Sequence, residues 1–368
     1  MEERLYPSLI LDALKNVRYP GTGKNLVESD MVADDIRIDG MTVSLSLVFD
    51  KPTDPFIKSV VKAAETAIKT FASENAEPHI AVVSRTVTPK VEKLLPGVKN
   101  IIGVSSGKGG VGKSTVASNL AVALAQKGYK VGLLDADIFG PSIPKMFGVE
   151  DEPVYMDEVD GRHLIAPVEK YGVKLLSIGF LVDKDNAVLW RGGMASNALK
   201  QLISDANWGD LDYFVIDMPP GTSDIHLTLL QTLAITGAVI VSTPQNVALA
   251  DARKGIDMYR NDKVNVPILG LVENMAWFTP AELPENKYFI FGKDGCKNLA
   301  KEMDAPLLAQ IPLVQSICES GDAGKPAACD INTITGQAFI SLAQAVVTVT
   351  NKRNREQAAT KIVEVKKQ

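Results

Sequence analysis

Two lysines and a serine set among glycines, Gly107-Lys108-Gly109-Gly110-Val111-Gly112-Lys113-Ser114-Thr115, are the residues of this chain whose types and spacing speak most directly of chemistry. A triphosphate needs many donors held close together. Glycines let the backbone curl until successive N–H groups point into one concavity at a helix N-terminus, where the helix dipole favours an anion. In such a loop Lys113 reaches the β- and γ-phosphates and the Ser114 hydroxyl ligates Mg²⁺. Two further segments supply carboxylates: Leu133-Leu134-Asp135-Ala136-Asp137 and Val215-Ile216-Asp217-Met218-Pro219-Pro220-Gly221. One carboxylate beside Mg²⁺ holds a metal-bound water, and a second orients the attacking water. A single acid at a strand end can also serve only as a cap. The ligand these residues imply is a nucleoside triphosphate with its magnesium.

A phosphate loop works only between a strand and a helix, and the flanks supply both. Ile101-Ile102-Gly103-Val104 precedes the loop, and the helix-compatible run from Val116 to Ala125 follows it. Further apolar runs at Lys130–Leu134, Tyr213–Ile216, Ala238–Ser242 and Ile268–Val272 alternate with helical stretches. Nearly continuous apolar strands separated by helices predict a mostly parallel, doubly wound α/β sheet, with ligands at the carboxyl ends of its strands. Asp160-Gly161 between two short strand patterns predicts a hairpin inserted in that plan. Ahead of it, residues 1–85 read as a small α+β module. It has a helix through Leu9–Leu14, a strand at Met41–Phe49, a helix over Ile57–Phe71 and a last strand at His79–Val83. Two prolines and several charges mark 86–97 as a linker, 98–350 as the nucleotide domain, and 351–368 as a polar tail that frays or ends as a solvated helix.

The 368 residues carry 39 Lys and Arg against 44 Asp and Glu, a formal charge of -5 that gives no footprint for nucleic acid. Three cysteines, Cys296, Cys318 and Cys329, form no CxxC pair, so neither a disulfide framework nor a zinc site is signalled. The acidic N-terminus lacks signal-peptide features and no long apolar run occurs, which predicts a cytoplasmic protein without a membrane partner.

The phosphate loop followed by DADIFGPSIP, IDMPPGTSD and VENMAWF resembles the Mrp/ApbC family. These are iron-sulfur cluster carrier ATPases of the deviant Walker A class that also holds MinD, ParA and the nitrogenase iron protein. The likeness runs from about Val98 to about Val347, and the first module is similar to the PaaD-like unit that often precedes this ATPase. The resemblance implies an ATP-hydrolysing homodimer in which Lys108 reaches across to the partner's ATP, though a lone cation can also just add local charge. It implies that Asp137 positions water and that Asp217 is the Walker B acid. Asn274 and the loop at Ile311-Pro312-Leu313 match the family's adenine contacts; Asn274 also suits a strand-end turn. Apo iron-sulfur proteins or other clients are the implied partners.

One departure is sharp. Where family members commonly place a CPxC pair that bridges a cluster between subunits, this chain reads Thr279-Pro280-Ala281-Glu282 after Trp277-Phe278. The first module likewise has Asp54 where related modules often carry a reactive cysteine. The usual cluster ligands are absent, no iron-sulfur ligand is assigned, and the three cysteines and the scattered His79, His163 and His226 read as structural residues. Three functions stay open: an ATP-dependent iron-sulfur carrier or assembly factor, an ATP switch that grips a client without a cluster, and a MinD/ParA-like positioning ATPase. The tail has no amphipathic anchor, which counts against the last. Trp190–Met194 reads either as a partner surface or as a helix entry.

Overall fold

The computed structural model describes residues 5–50, 53–84, 94–138, 140–181, 192–280, 282–283 and 285–363. Contacts divide the chain into two compact units, with the division between Glu92 and Lys93.

The first unit runs α1 (Pro7–Leu14), β1 (Arg37–Asp39), β2 (Thr42–Phe49), α2 (Ile57–Phe71) and β3 (Glu77–Ser84). β2 is antiparallel to β1 and parallel to β3, so α2 is the crossover between two parallel strands. Helical spacing puts Val60, Ala64, Ala67 and Ile68 on one face of α2, and that face is buried with Val43, Leu45, Leu47 and Phe49 of β2. Fully burying an Ile or Phe side chain contributes about 1.5–3 kcal/mol, which is how so small a unit keeps its own core.

The second unit continues with β4 (Val98–Ser105), α3 (Lys113–Gln126), β5 (Val131–Asp135), α4 (Ile143–Phe147), β6 (Met156–Val159), β7 (Arg162–Ile165), β8 (Val168–Lys170) and β9 (Val173–Ser177). It then runs through α5 (Gly192–Ser204), β10 (Leu211–Asp217), α6 (Asp224–Thr232), β11 (Gly237–Ser242), α7 (Asn246–Arg260) and β12 (Ile268–Glu273). α8 (Gly295–Glu302), β13 (Leu307–Gln310), α9 (Gln315–Asp322) and α10 (Ile334–Glu356) complete it. Among the described residues the main sheet has the order β13-β12-β11-β4-β10-β5-β9-β8, parallel throughout except for β8 at one edge. Alternation along β10 shows why its sequence is apolar without a break. Phe214 and Ile216 enter one core with Leu199, Leu229 and Ile256, while Val215 enters the other with Leu120, Leu124 and Phe339. β6 and β7 form the expected hairpin, turning through Asp160 and Gly161 at φ 52° and 74°, the left-handed pair that a tight two-residue turn demands.

Two boundaries differ from the sequence reading. Residues 94–97 are not linker: Leu95 is buried in the second unit's core, and the Gly97 carbonyl accepts from Leu211 N at 3.0 Å. The remainder of the expected linker, up to 93, lies outside the described residues. Of the two expectations for the tail, the solvated helix holds to Glu356, and the described residues beyond it, up to Val363, do not fray. α10 runs on to Glu356, and Val363 is buried in the core with its N–H donating to the Leu230 carbonyl at 3.0 Å. Composition misled here because two residues, Arg353 and Val363, anchor an otherwise polar segment.

Candidate functional site

The acids and the phosphate loop converge because parallel strands share one carboxyl end. Register sets Asp217 of β10 beside Val104 of β4 and beside Asp135 of β5, and Asp135 in turn beside Ser177 of β9. β4 then feeds residues 106–112 into the N-terminus of α3, whose first residue is Lys113. Gly110 and Gly112 take φ of 81° and 82°, the left-handed region that glycine enters without strain. Gly107 is glycine for a different reason, since a Cβ there would sit 2.1 Å from the Asp251 carbonyl carbon of α7. Ser106 braces the loop twice: its hydroxyl donates to the Lys108 carbonyl at 2.9 Å, and its carbonyl accepts from Gly221 N at 2.9 Å. Lys108, Gly109 and Gly110 are exposed, whereas Val111 is buried.

Lys113 is 6 % exposed and donates to Asp217 Oδ1 at 2.6 Å, with Asp137 Oδ2 at 3.6 Å and Ser114 Oγ at 3.1 Å. The sequence therefore brings Lys113, Ser114, Asp137 and Asp217 together, and the lysine's charge rests on the two acids. Burial raises the Asp217 carboxyl above the usual aspartate range, opposed by the Lys113 ammonium. Its second oxygen, Oδ2, is buried with no hydrogen-bond partner. An orphaned carboxylate oxygen and a serine hydroxyl beside one cation are hard oxygen donors of the kind Mg²⁺ prefers, so the residues fit that ion.

Asp135 sits behind this group, fully buried. It accepts from Asp137 N at 3.1 Å, from Ile143 N at 3.2 Å and from Ser177 Oγ at 2.9 Å, which fixes the turn that presents Asp137. Burial first, and the nearby Asp217 charge second, push its carboxyl up to about 7.

His226 was not separated from the other histidines by sequence. It lies in the first turn of α6, where Ser223 N donates to Nδ1 at 3.2 Å within a capping box. The imidazole proton is then on Nε2, which is buried without a partner. Burial and, after it, the Lys113 charge hold its pKa down to about 4, so the ring is neutral beside the phosphate loop. The only sequence signal was spacing, a serine three residues ahead of a side chain that can reach back to its N–H.

Beyond the loop, a cavity of about 360 Å³ is lined by Gly112, Thr115, Asn274, Met275, Pro312 and Cys318, among others. Asn274 and Pro312 thus line one cavity with the phosphate loop. Asn274 does more than face it: its Nδ2 donates to the Val111 carbonyl at 2.8 Å, and a Cβ on Gly112 would lie 2.2 Å from that nitrogen. The amide is committed to the loop, which leaves Oδ1 as its free acceptor. Ile311 N donates to the Glu273 carbonyl at 2.8 Å, tying the Pro312 loop to the end of β12.

Around the missing CPxC pair, Phe278 and Tyr288 exchange two backbone hydrogen bonds of 2.8 Å, and Lys287 Nζ stands 4.0 Å from the Trp277 ring centroid. Cys296 is fully buried. Its thiol lies 3.7 Å and 3.8 Å from the Ser242 and Thr243 carbonyls, and burial, then Glu273, pushes its pKa far up. A thiol held protonated is a poor cluster ligand. Cys329 is half-buried, but Cys318 is exposed, contrary to the expectation that all three cysteines are buried. No group of three or more His, Cys, Asp or Glu that could hold a metal occurs among the described residues. Of the Trp190–Met194 segment, Trp190 and Arg191 lie outside the described residues, and Gly192 opens α5. No described helix is long and apolar enough to cross a membrane.

Residues 97–347 match the family described as NUBPL iron-transfer P-loop NTPase, and residues 8–77 match the iron-sulfur cluster assembly protein family. An iron-sulfur cluster carrier protein of Synechocystis is 46% identical over 325 residues, covering 86% of this chain and 90% of that protein. An iron-sulfur protein of Arabidopsis thaliana required for mitochondrial NADH dehydrogenase is 51% identical over 258 residues, covering 70% of this chain and 80% of that one. Among solved structures, a nucleotide-binding protein from Archaeoglobus fulgidus in complex with ADP superposes with a TM-score of 0.56 at 37% identity, over 66% of this chain and 93% of that one. With a phosphate loop at the head of α3, two acids on its lysine and a match across most of its length, the chain belongs to the iron-transfer P-loop NTPase family, preceded by an iron-sulfur cluster assembly module.

Proposed function

We propose that this protein binds and hydrolyses ATP and acts, as a homodimer, as an iron-sulfur cluster carrier or assembly factor. The observation that carries the reading is the contact of Lys113 with Asp217 and Asp137 at the N-terminus of α3. A phosphate binding there takes the Lys113 ammonium as its own counter-ion, and Asp217 is left free to face a cation. Ser114 and Asp217 would hold Mg²⁺, Asp217 through water, and the ion would neutralise charge on the phosphates. Asp137, pinned by Asp135, orients the water that attacks the γ-phosphate. The glycines, Val111 and Thr115 give the phosphates their backbone cradle, Asn274 and Pro312 border the base, and Lys108 completes the site of the second subunit. Hydrolysis then releases the segment from Asp217 to Asp224, which Gly221 holds to the loop.

The cluster is cargo in this reading, and no described cysteine set holds it. The buried, protonated Cys296 and the sulfur-free Thr279–Glu282 segment favour a second reading, an ATP switch that grips a client without carrying a cluster. Anaerobic incubation with iron and sulfide, followed by absorbance and transfer to an apo-acceptor, separates the two. A bound, transferable cluster supports the carrier; ATP-dependent client binding with no cluster leaves the switch.

A further inference from the structure

Arg353 is a guanidinium buried to 9 % exposure that meets no carboxylate among the described residues. Nη2 donates to the Ala358 carbonyl at 2.7 Å and to Thr360 Oγ1 at 2.8 Å, and Nη1 donates to Asn354 Oδ1 at 3.2 Å. Nε, the remaining corner of the fork, is buried with no acceptor. Every acceptor is neutral, so the charge itself is uncompensated, and burial lowers its pKa with no acid acting against that. Such a group is costly to keep, because a buried charge is retained cheaply only with a counter-ion and filled hydrogen bonds.

Beside it lies a cavity of about 300 Å³, at the small end for ligand sites. Its walls are apolar at Leu95, Val98, Ile101, Leu233 and Ile362, and Arg353 closes it on one side. Gln357, Ala359, Thr360 and Ile362 of the irregular segment 357–363 also line it, and that segment is held by Arg353 and by the bond from Val363 N to the Leu230 carbonyl. Lys99, Thr232, Thr236 and Asn354 line the cavity as well, Lys99 with its charge paired to Asp212 at 2.8 Å, so Arg353 is the lining cation without a carboxylate among the described residues, and that cation beside an apolar stretch fits a short carbon chain ending in an anion. Nη2 has both hydrogens engaged, so an anion reaches the guanidinium through the second Nη1 hydrogen, and a carboxylate supplies a charged acceptor for it.

We propose that this cavity is a binding site for a small organic monocarboxylate, whose carboxylate pairs with Arg353 and whose chain lies along Leu95, Ile101 and Leu233. A ligand there adds contacts that hold the 357–363 segment against Leu230, whose carbonyl already accepts from Val363 N. The site is separate from the nucleotide cavity and does not depend on the ATP reading.

The test uses the full chain with sodium hexanoate as probe, against sodium chloride of equal ionic strength and hexan-1-ol. Hexanoate is expected to raise the melting temperature saturably, by roughly 3 °C at ten times the half-saturating concentration. It is also expected to slow amide exchange in 357–363 and at Leu230–Ala234. Arg353→Met, checked for native circular dichroism, is expected to lose both effects. No rise beyond that of chloride, an equal rise with hexan-1-ol, or an unchanged response in Arg353→Met overturns the proposal. The wild-type comparison of the three solutes decides it even if the variant does not fold.

Discussion

Lys113 Nζ lies 2.6 Å from Asp217 Oδ1, and both side chains are buried, so each supplies the other's counter-ion. Removing one partner of a buried pair leaves an uncompensated charge and costs about 3–5 kcal/mol, whereas removing both can be nearly neutral. Lys113→Met is therefore expected to lose several kcal/mol in urea unfolding, and Lys113→Met with Asp217→Asn is expected to recover most of it. Nucleotide binding, measured by calorimetry, should stay lost in both. A double variant no more stable than the single one would show that the pair does not balance charge.

Lys108 is exposed and touches neither acid, so its effect must appear in turnover and not in stability. Lys108→Ala should keep ATP binding within about twofold while turnover falls on the order of 10³-fold, the range of a charge supplied in trans. Wild-type turnover should also rise with protein concentration. Equal turnover in wild type and Lys108→Ala removes the trans role.

Gly112 and Asn274 are matched across the cavity. Gly112→Ala places a methyl against Asn274 Nδ2 and strains a backbone at φ 82°, and it should weaken nucleotide binding by about tenfold or more. In an Asn274→Ala background, which removes the contact but not the strain, Gly112→Ala should cost less than it does in the wild type, yet still cost something. No cost in that background would mean that the backbone tolerates the substitution, and an undiminished cost would mean that the contact is irrelevant.

Two buried groups pull the pH dependence of stability in opposite directions. His226 binds its proton near pH 4 folded and near 6.5 unfolded, so the unfolded chain holds the extra proton between those values and stability rises with pH there. Asp135 titrates near 7 folded and near 3.8 unfolded, so the folded chain holds the extra proton and stability falls with pH across the same window. Each slope is at most about 1.4 kcal/mol per pH unit. Asp217, also raised by burial, acts in the same direction as Asp135, so relative to wild type His226→Gln should tilt the profile downward with pH between about 4.5 and 6.5 and Asp135→Asn should tilt it upward. Urea midpoints across that range check both; an unchanged profile in either variant contradicts its assignment.

The glycine spacing, Asp217 at the end of β10, Asp137 just past β5 and the apolar strands β4, β5, β10, β11 and β12 were legible, because each is written locally in period or in residue type. What stayed hidden depends on distant partners. Nothing near Asn274 says that its amide is taken by Val111, and nothing in the tail says that Val363 meets Leu230. Cys296 and Cys318 look alike in sequence, yet one is buried under β11 carbonyls and the other opens on a cavity. The antiparallel edge strand β8, its neighbour β9 and the short β13 were missed for a related reason: three to five residues are too few to show a period.

The strand order has a consequence for synthesis on the ribosome. β4, which delivers the phosphate loop, is flanked in the sheet by β10 and β11, and its register with them runs through Ile102–Val215 and Val104–Val239. When residues 98–126 emerge, the loop's strand therefore has neither of its neighbours, and contacts between such distant segments form slowly. A nascent chain that has not reached the end of β10 lacks Asp217 and cannot set it against Lys113. In the proposed site, nucleotide capture then waits until β10 has been made, about half-way through the second unit, while the first unit, made earlier, is free to fold alone.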